Sequence, residues 1–119
     1  EGAMKFKLII ALVEDAKTEL VNEAAREAGA TGSTVITAAR GEGLNPPKTF
    51  LGLTLEGQRD VLLFLVEEHL CRHILEAIAR EARFDEEPGS GIAFQIDIED
   101  AVGLGSQIGT IQQEIEDEI

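Results

Sequence analysis

The sequence predicts an α+β fold in which two helices cover one face of an antiparallel sheet. Three observations predict it: an almost entirely apolar run near the start, two apolar stripes at helical spacing, and apolar runs joined by short turns. A chain of 119 residues has the length of one domain. We therefore treat the elements below as parts of a single core.

The first strand and the first helix are predicted from their apolar patterns. Residues 5–13 are nearly all apolar, which predicts a strand buried on both faces. An apolar stripe at helical spacing follows and predicts a helix over residues 16–28. Asp15 is the expected N-cap of this helix, and Gly29 is its expected stop.

The middle of the chain predicts three further strands. Residues 33–39 are rich in β-branched side chains and predict the second strand, while the glycines and prolines of residues 41–47 predict a loop. Residues 49–55 and 59–66 are apolar runs separated by Glu56-Gly57-Gln58. This short connection predicts a hairpin that makes the two runs antiparallel neighbours.

The last two elements complete the fold. An acidic start, an apolar stripe and a basic end predict a second helix over residues 69–83. Alternating apolar residues predict a final strand over residues 92–98. The chain thus has five predicted strands and two predicted helices, with residues 49–55 as a strand additional to the βαββαβ order of the ferredoxin-like arrangement. We interpret the fold as that arrangement, an antiparallel sheet with two helices on one face.

The other face of this sheet needs a cover, because its strands are apolar on both sides and only two helices are predicted. We expect a second copy of the chain to supply that cover in a homo-oligomer. The alternative is a monomer in which the acidic tail lies over the sheet. Ile108, Ile111, Ile115 and Ile119 predict either a short amphipathic helix in this tail or a frayed end.

Charge and motif content exclude several function classes. The formal net charge of −13 disfavours a nucleic-acid partner, and every lysine and arginine lies at or before Arg83. No apolar run has the roughly 18 residues needed to span a bilayer, so we expect a soluble, cytoplasmic protein. No Ser-His-Asp set, nucleophile elbow or Walker-type motif is present, and we predict that the chain is not an enzyme.

Three short motifs in the chain each contain two glycines. Residues 29–35 read Gly-Ala-Thr-Gly-Ser-Thr-Val and resemble the G-x-T-G-x-T-V turn that opens the second strand of the PII signal-transduction proteins. Residues 40–43 read Arg-Gly-Glu-Gly and resemble the Lys-Gly-x-Gly that opens the T-loop. Residues 89–91 read Gly-Ser-Gly and resemble the Gly-Asp-Gly of the B-loop. The motifs occur in the family's order over about residues 5–106.

The resemblance implies a homotrimer that binds an adenine nucleotide, such as AMP, ADP or ATP, between its subunits. It also implies that loops of the trimer control a membrane transporter or a metabolic enzyme. We predict a PII-like domain over residues 4–106 and an acidic tail over residues 107–119. The site residues implied by the resemblance are Thr34 and Leu65 near the adenine, Gly41, Glu42 and Gly43 along the cleft, and Gly89, Ser90 and Gly91, whose N–H groups would meet phosphate.

The sequence departs from the family pattern at three cations. Ile92 stands where the family has its B-loop lysine, and Gly103 and Gly105 stand where it has two arginines that hold phosphates. A charge-assisted hydrogen bond contributes roughly 1.5 to 3 kcal/mol, so the joint loss lowers the expected affinity for a triphosphate by orders of magnitude. We therefore expect a divergent member that binds a nucleotide with few phosphates.

The remaining candidates for contact with the effector are Arg40, Asn45, Lys48 and Arg59. By the resemblance, Arg59 replaces a lysine at the end of the T-loop. Asn45 replaces the glutamine that helps hold Mg²⁺ and 2-oxoglutarate. The chain contains no tyrosine, so uridylylation of a T-loop tyrosine is excluded.

An alternative function is a trimeric divalent-metal-binding protein that resembles the CutA-type proteins, which share the subunit architecture. His69, Cys71 and His73 would carry it, and the two histidines share one face of the second helix. Cys71 lies about 200° from His69 around that helix, so one helix cannot present all three to one ion. We therefore expect no metal cofactor, and a solvated or structural role for these residues.

Overall fold

The structure, a computed structural model, describes residues 5–39, 49–50, 53–54 and 59–103. A single 3₁₀ turn, Asp15–Lys17, precedes the first α-helix. The elements in chain order are β1 (Phe6–Glu14), α1 (Thr18–Glu27), β2 (Thr34–Ala39), β3 (Thr49–Phe50), β4 (Leu53–Thr54), β5 (Arg59–Glu67), α2 (Glu68–Glu81) and β6 (Gly91–Asp97).

The main sheet has four strands in the order β2-β5-β1-β6. Each neighbouring pair is antiparallel, and β1 pairs with β5 on one side and with β6 on the other. The first and third long strands thus lie at the centre and the second and fourth at the edges, which is the ferredoxin-like topology. The predicted fold class is confirmed.

The core lies between the sheet and the two helices. Alternate residues of the central strands face the helices because side chains in a strand point to opposite faces in turn. Those on β1 and β5 that are fully buried are Ile9, Ala11, Val13, Leu62 and Phe64. The helices contribute Val21, Ala24, Ala25, Cys71, Ile74, Ala77 and Ile78 to the same layer.

Helix α1 begins later than the sequence predicts. Asp15 opens the 3₁₀ turn, and Lys17 occupies the N-cap of α1 without a capping hydrogen bond from its side chain. The prediction of Asp15 as N-cap is therefore wrong, because the chain leaves β1 through this tight turn before the helix starts. The end of α1 agrees with the prediction, since Gly29 adopts a φ of +122° that favours glycine.

The predicted hairpin between residues 49–55 and 59–66 is not formed by the residues described. β5 pairs with β1 along one side and with β2 along the other, so no side of it remains for β3. β3 instead pairs with β4 in a separate two-stranded sheet. The apolar composition of β5 therefore reflects its position inside the main sheet and not a hairpin with its predecessor in the chain.

The face of the main sheet opposite the helices is apolar and incompletely covered. It carries Leu8, Ile10 and Leu12 from β1, Val61, Leu63 and Leu65 from β5, Ile92, Phe94 and Ile96 from β6, and Ile36 from β2. Ile36 is 48% exposed, Ile96 is 44% exposed and Leu65 is 40% exposed. In the single chain the prediction of burial on both faces of β1 therefore holds fully only for the helix side. We call this surface the open face.

Among the helices described, none combines the length and apolar character needed to cross a membrane.

Candidate functional site

Several candidate residues meet at one end of the sheet. Val13 near the end of β1 pairs with Asp60 of β5 on one side and with Gly91 of β6 on the other. Ala39, the last residue of β2, pairs with Arg59. The end of β2, the start of β5 and the 89–91 turn therefore lie at the same end of the sheet.

The turn at residues 89–91 is tightly bonded to its surroundings. Gly89 has a φ of +80°, a conformation that favours glycine. The N–H of Ser90 donates to the carbonyl of Glu87 at 3.1 Å, and the carbonyl of Ser90 accepts from the N–H of Glu14 at 3.1 Å. The N–H of Ser90 is thus used within the turn, and phosphate binding by residues 89–91 stays a prediction.

The side chain of Ser90 points inward. Ser90 is 3% exposed, and its hydroxyl has no hydrogen-bond partner among the residues that the structure describes. Gly91 lies against the ring of Phe84, and a Cβ added there would approach the ring's Cζ to 2.7 Å. Glycine at position 91 therefore has a packing reason that is independent of any ligand.

Lys17 connects the first helical turn to the segment that leads to Gly89. Its Nζ donates to the carbonyl of Ala82 at 2.7 Å and lies 2.6 Å from Oε1 of Glu87. Nε of Arg83 lies 3.4 Å from the other oxygen of the same carboxylate. The hydrogen bond from Lys17, with the smaller effect of Arg83, holds the pKa of Glu87 below its ordinary value.

The start of β5 is also held by the segment after β1. The Thr18 hydroxyl donates to a carboxyl oxygen of Asp60 at 2.5 Å, and both residues are buried. Arg59 next to it is buried too, with 8% of its surface exposed. Arg59 therefore lies within the end of the sheet, and its contact with an effector stays a prediction.

Thr34 and Leu65 lie on the open face, away from the 89–91 turn. Thr34 is exposed on the edge strand β2 and pairs with Leu63, and Leu65 follows two residues later on β5. Gly91 starts the opposite edge strand, with β5 and β1 in between. Three strand spacings of about 4.8 Å put the two edges about 14 Å apart. One chain therefore does not bring Thr34 and Gly89 together.

A shallow pocket opens just before Thr34, on the helix side of the sheet. It has a volume of about 240 Å³ and is bounded by Asn22 and Arg26 of α1, by the turn over residues 30–33 and by Phe64. The Oδ1 atom of Asn22 is buried there without a hydrogen-bond partner in the part of the chain described. Side chains of Thr34 and Leu65 project from the other face, so the pocket is separate from the predicted adenine contacts.

The three residues of the alternative metal site, His69, Cys71 and His73, do not lie on one side of α2. Cys71 is buried in the core and desolvation raises the pKa of its thiol, whereas His69 and His73 are exposed on the surface of α2. Nδ1 of His69 lies 3.1 Å from a carboxylate oxygen of Glu67. No group of three metal-ligating residues occurs in the described ranges. The helical geometry explains this, because the cysteine and the histidines point to opposite sides of one helix.

Other predicted residues lie outside the described residues. They are Arg40, Gly41, Glu42, Gly43, Asn45, Lys48 and Gly105, together with the tail over residues 107–119. Lys17, Thr18 and Asp60 are not predicted from the sequence, because each has its partner in a distant part of the chain and no local pattern indicates that contact.

The sequence profile of the family described as Nitrogen regulatory protein P-II matches residues 6–107. No curated protein sequence is similar enough to count as a match. A Thermus thermophilus protein, whose crystal structure is described as that of a PII-like signaling protein, is 26% identical, with a TM-score of 0.58 over 78% of this chain and 86% of that one.

A second solved structure supports the same fold. It is CPII from Thiomonas intermedia K12, bound to ADP, AMP and acetate, with 21% identity and a TM-score of 0.62 over 86% of this chain and 95% of that one. The profile covers far more than half of the 119 residues, and the sheet order and the glycine turns agree with it. The chain therefore belongs to the nitrogen regulatory protein P-II family.

Proposed function

We propose that the chain is a homotrimeric regulatory protein that binds AMP or ADP in clefts between its subunits and thereby controls a transporter or an enzyme. The observation that carries this proposal is the split site. Thr34 and Leu65 lie on the open face, and Thr34 belongs to the edge strand β2. Gly89 lies just before the opposite edge strand β6, which is about 14 Å across the sheet from β2. Two neighbouring chains that meet through the open face could supply the two halves to one ligand.

The open face supports the association of subunits. Its ten large apolar side chains form a continuous surface over four strands, and three of them are more than a third exposed. Contiguous apolar surfaces of this kind are typical of protein interfaces, and burying them in an oligomer removes apolar area from water at about 25 cal/mol per Å². Closed symmetric assemblies are the rule for chains that associate with their own copies.

The structure of CPII with ADP and AMP supports an adenine nucleotide as the effector. Two departures in this chain favour one with few phosphates. Ile92 pairs with Leu12 on the open face and supplies an apolar side chain where the family has a lysine. Gly103 has no side chain with which to replace an arginine. Fewer cations mean fewer charge-assisted hydrogen bonds to terminal phosphates.

Calorimetric titration with adenosine, AMP, ADP and ATP tests the nucleotide proposal. We expect AMP or ADP to bind, and ATP to gain less than about threefold in affinity over ADP, because the cations that would hold a third phosphate are missing. Thr34→Val should weaken every adenine ligand, while Thr37→Val, on the same strand and also exposed, should not. Absence of binding by all four ligands would refute the proposal.

We propose that residues 41–48, which the resemblance identifies as the T-loop, control the partner. Saturating AMP should change hydrogen exchange in residues 41–48, the segment that departs from the same end of the sheet as the 89–91 turn. Identical exchange of this segment with and without a bound nucleotide would contradict this part of the proposal.

A further inference from the structure

Lys17 anchors the segment between α2 and the 89–91 turn at two points. Its amine contacts a backbone oxygen, that of Ala82, and a side-chain oxygen, that of Glu87, at 2.7 and 2.6 Å. Only 12% of the lysine side chain is exposed, so the amine is directed into this contact and not into solvent. The first contact fixes the end of α2, and the second fixes the residue two positions before Gly89.

Glu87 transmits this anchoring to the turn. Its N–H donates to the carbonyl of Arg83 at 3.0 Å, and its carbonyl accepts from the N–H of Ser90 at 3.1 Å. Ser90 is held from its other side by the N–H of Glu14. A displacement of Glu87 would therefore move Ser90 and the two glycines beside it. Glu14 and Lys17 hold these residues in place, through Ser90 and Glu87 respectively.

Lys17 also sets the charge next to the turn. Asp85, Glu86 and Glu87 precede Gly89, and three acids at this distance would repel an anionic ligand. The carboxylate of Glu87 is the one contacted by two cations, Lys17 at 2.6 Å and Arg83 at 3.4 Å. Removal of the lysine would leave that carboxylate with the more distant partner alone.

We propose that Lys17 is a positioning residue of the nucleotide site: by binding Ala82 and Glu87 it holds the 89–91 turn in shape and neutralises the carboxylate nearest to it, so that the turn accepts a nucleotide phosphate. This inference rests on the proposed function. We expect Lys17 to affect the binding of the phosphate and not that of the adenosine, because the predicted adenine contacts, Thr34 and Leu65, lie elsewhere.

The test compares AMP with adenosine, which differ by the phosphate. In Lys17→Met we expect AMP to bind about tenfold more weakly, since one partner charge is lost beside the turn, and adenosine to bind within about twofold of the wild type. Lys17→Arg keeps the charge and should retain most of the affinity for AMP. Lys7→Met is the matched control, because it breaks an ion pair with Asp97 near the other end of β1 and should leave both affinities within about twofold.

A variant that folds poorly need not prevent the test. Lys17→Gln carries no charge, but its amide can still donate to the Ala82 carbonyl, and it replaces Lys17→Met with the same expected ratio. A further Glu87→Gln change in the Lys17→Met protein should recover at least threefold of the lost AMP affinity, because it removes the negative charge that has lost its nearer cation. A loss that Glu87→Gln does not relieve overturns the electrostatic part of the inference.

The outcomes separate the two proposals. If the wild type binds AMP and the uncharged Lys17 variants bind both AMP and adenosine as tightly as the wild type does, the role of Lys17 is overturned and the proposed function stands. If AMP and adenosine weaken by equal factors, Lys17 only supports the fold and the inference is again overturned. If the wild type binds no adenine ligand, the proposed function fails and takes this inference with it.

Discussion

The hydroxyl of Thr18 connects the start of α1 to the start of β5, and its removal should destabilise the folded chain. The hydroxyl lies 2.5 Å from a carboxyl oxygen of Asp60, with Thr18 8% exposed and Asp60 6% exposed. Thr18→Val keeps the size and branching of the side chain, so it leaves no cavity. It leaves the buried carboxyl oxygen without that donor, which costs about 2 kcal/mol.

Urea unfolding at a fixed chain concentration measures this change in the free energy of unfolding. In thermal unfolding, a loss of about 2 kcal/mol in a chain of this length corresponds to a decrease of roughly 8 °C in Tm. Thr18→Ser keeps the hydroxyl and should lose less than about 1 kcal/mol, which separates the hydrogen bond from the methyl group. A double-mutant cycle with Asp60→Asn should give a coupling of at least about 1 kcal/mol.

A small change in the free energy of unfolding, with an unchanged dependence on urea concentration, would refute the role of this hydrogen bond. If Thr18→Val is within about 0.5 kcal/mol of the wild type, the buried contact does not stabilise the chain. If Thr18→Ser and Thr18→Val are equally destabilised, packing and not the hydrogen bond explains the loss.

Three further predictions follow from the same region and the core. Gly91→Ala should destabilise the chain by about 1–3 kcal/mol, because its Cβ would collide with the Phe84 ring and lie only 2.7 Å from Cζ. Gly32→Ala has open space around it and should change the free energy of unfolding by less than about 0.5 kcal/mol, so equal effects of the two changes in urea unfolding would contradict the role of packing. The buried Cys71 thiol, whose pKa is raised by desolvation, should react with iodoacetamide at pH 8 at least about 100-fold more slowly in the native than in the unfolded protein, and similar rates would show that it is accessible. Because the pKa of Glu87 is lowered by its lysine partner, the pair stabilises the fold above the usual carboxyl pKa, and the stability difference between wild type and Glu87→Gln should shrink as the pH falls from about 6 to about 4; a constant difference over that range would contradict the pairing.

Much of the fold could be predicted from the sequence because the apolar periodicities report directly on burial. The apolar runs at residues 5–13 and 59–66 predict strands with two apolar faces, and these two strands lie at the centre of the sheet. Gly29 ends α1 where the helical stripe ends. The helical spacing of Cys71 from His69 likewise predicts that the two point apart, and the structure confirms it. These predictions concern neighbours along the chain, whose relative directions are fixed by local geometry.

The rest depends on contacts between distant segments, which periodicity does not reveal. Residues 49–55 and 59–66 are adjacent in the chain and apolar, yet β5 finds its partners in β1 and β2. Lys17 and Ala82 are 65 positions apart, and nothing in the local sequence of either predicts their hydrogen bond. The glycines of residues 85–91 predict a loop there. The hydrogen bond from the Ser90 N–H to the Glu87 carbonyl follows only from the three-dimensional path of the chain.

Native mass spectrometry of the purified chain with AMP is the decisive experiment for a nucleotide site shared between subunits, because it counts subunits and ligands in one spectrum. We expect an assembly of three chains that gains up to three AMP molecules and loses that binding in Thr34→Val. A monomer that binds no AMP, with its open face uncovered in solution, would contradict both the trimer and the site shared between its subunits.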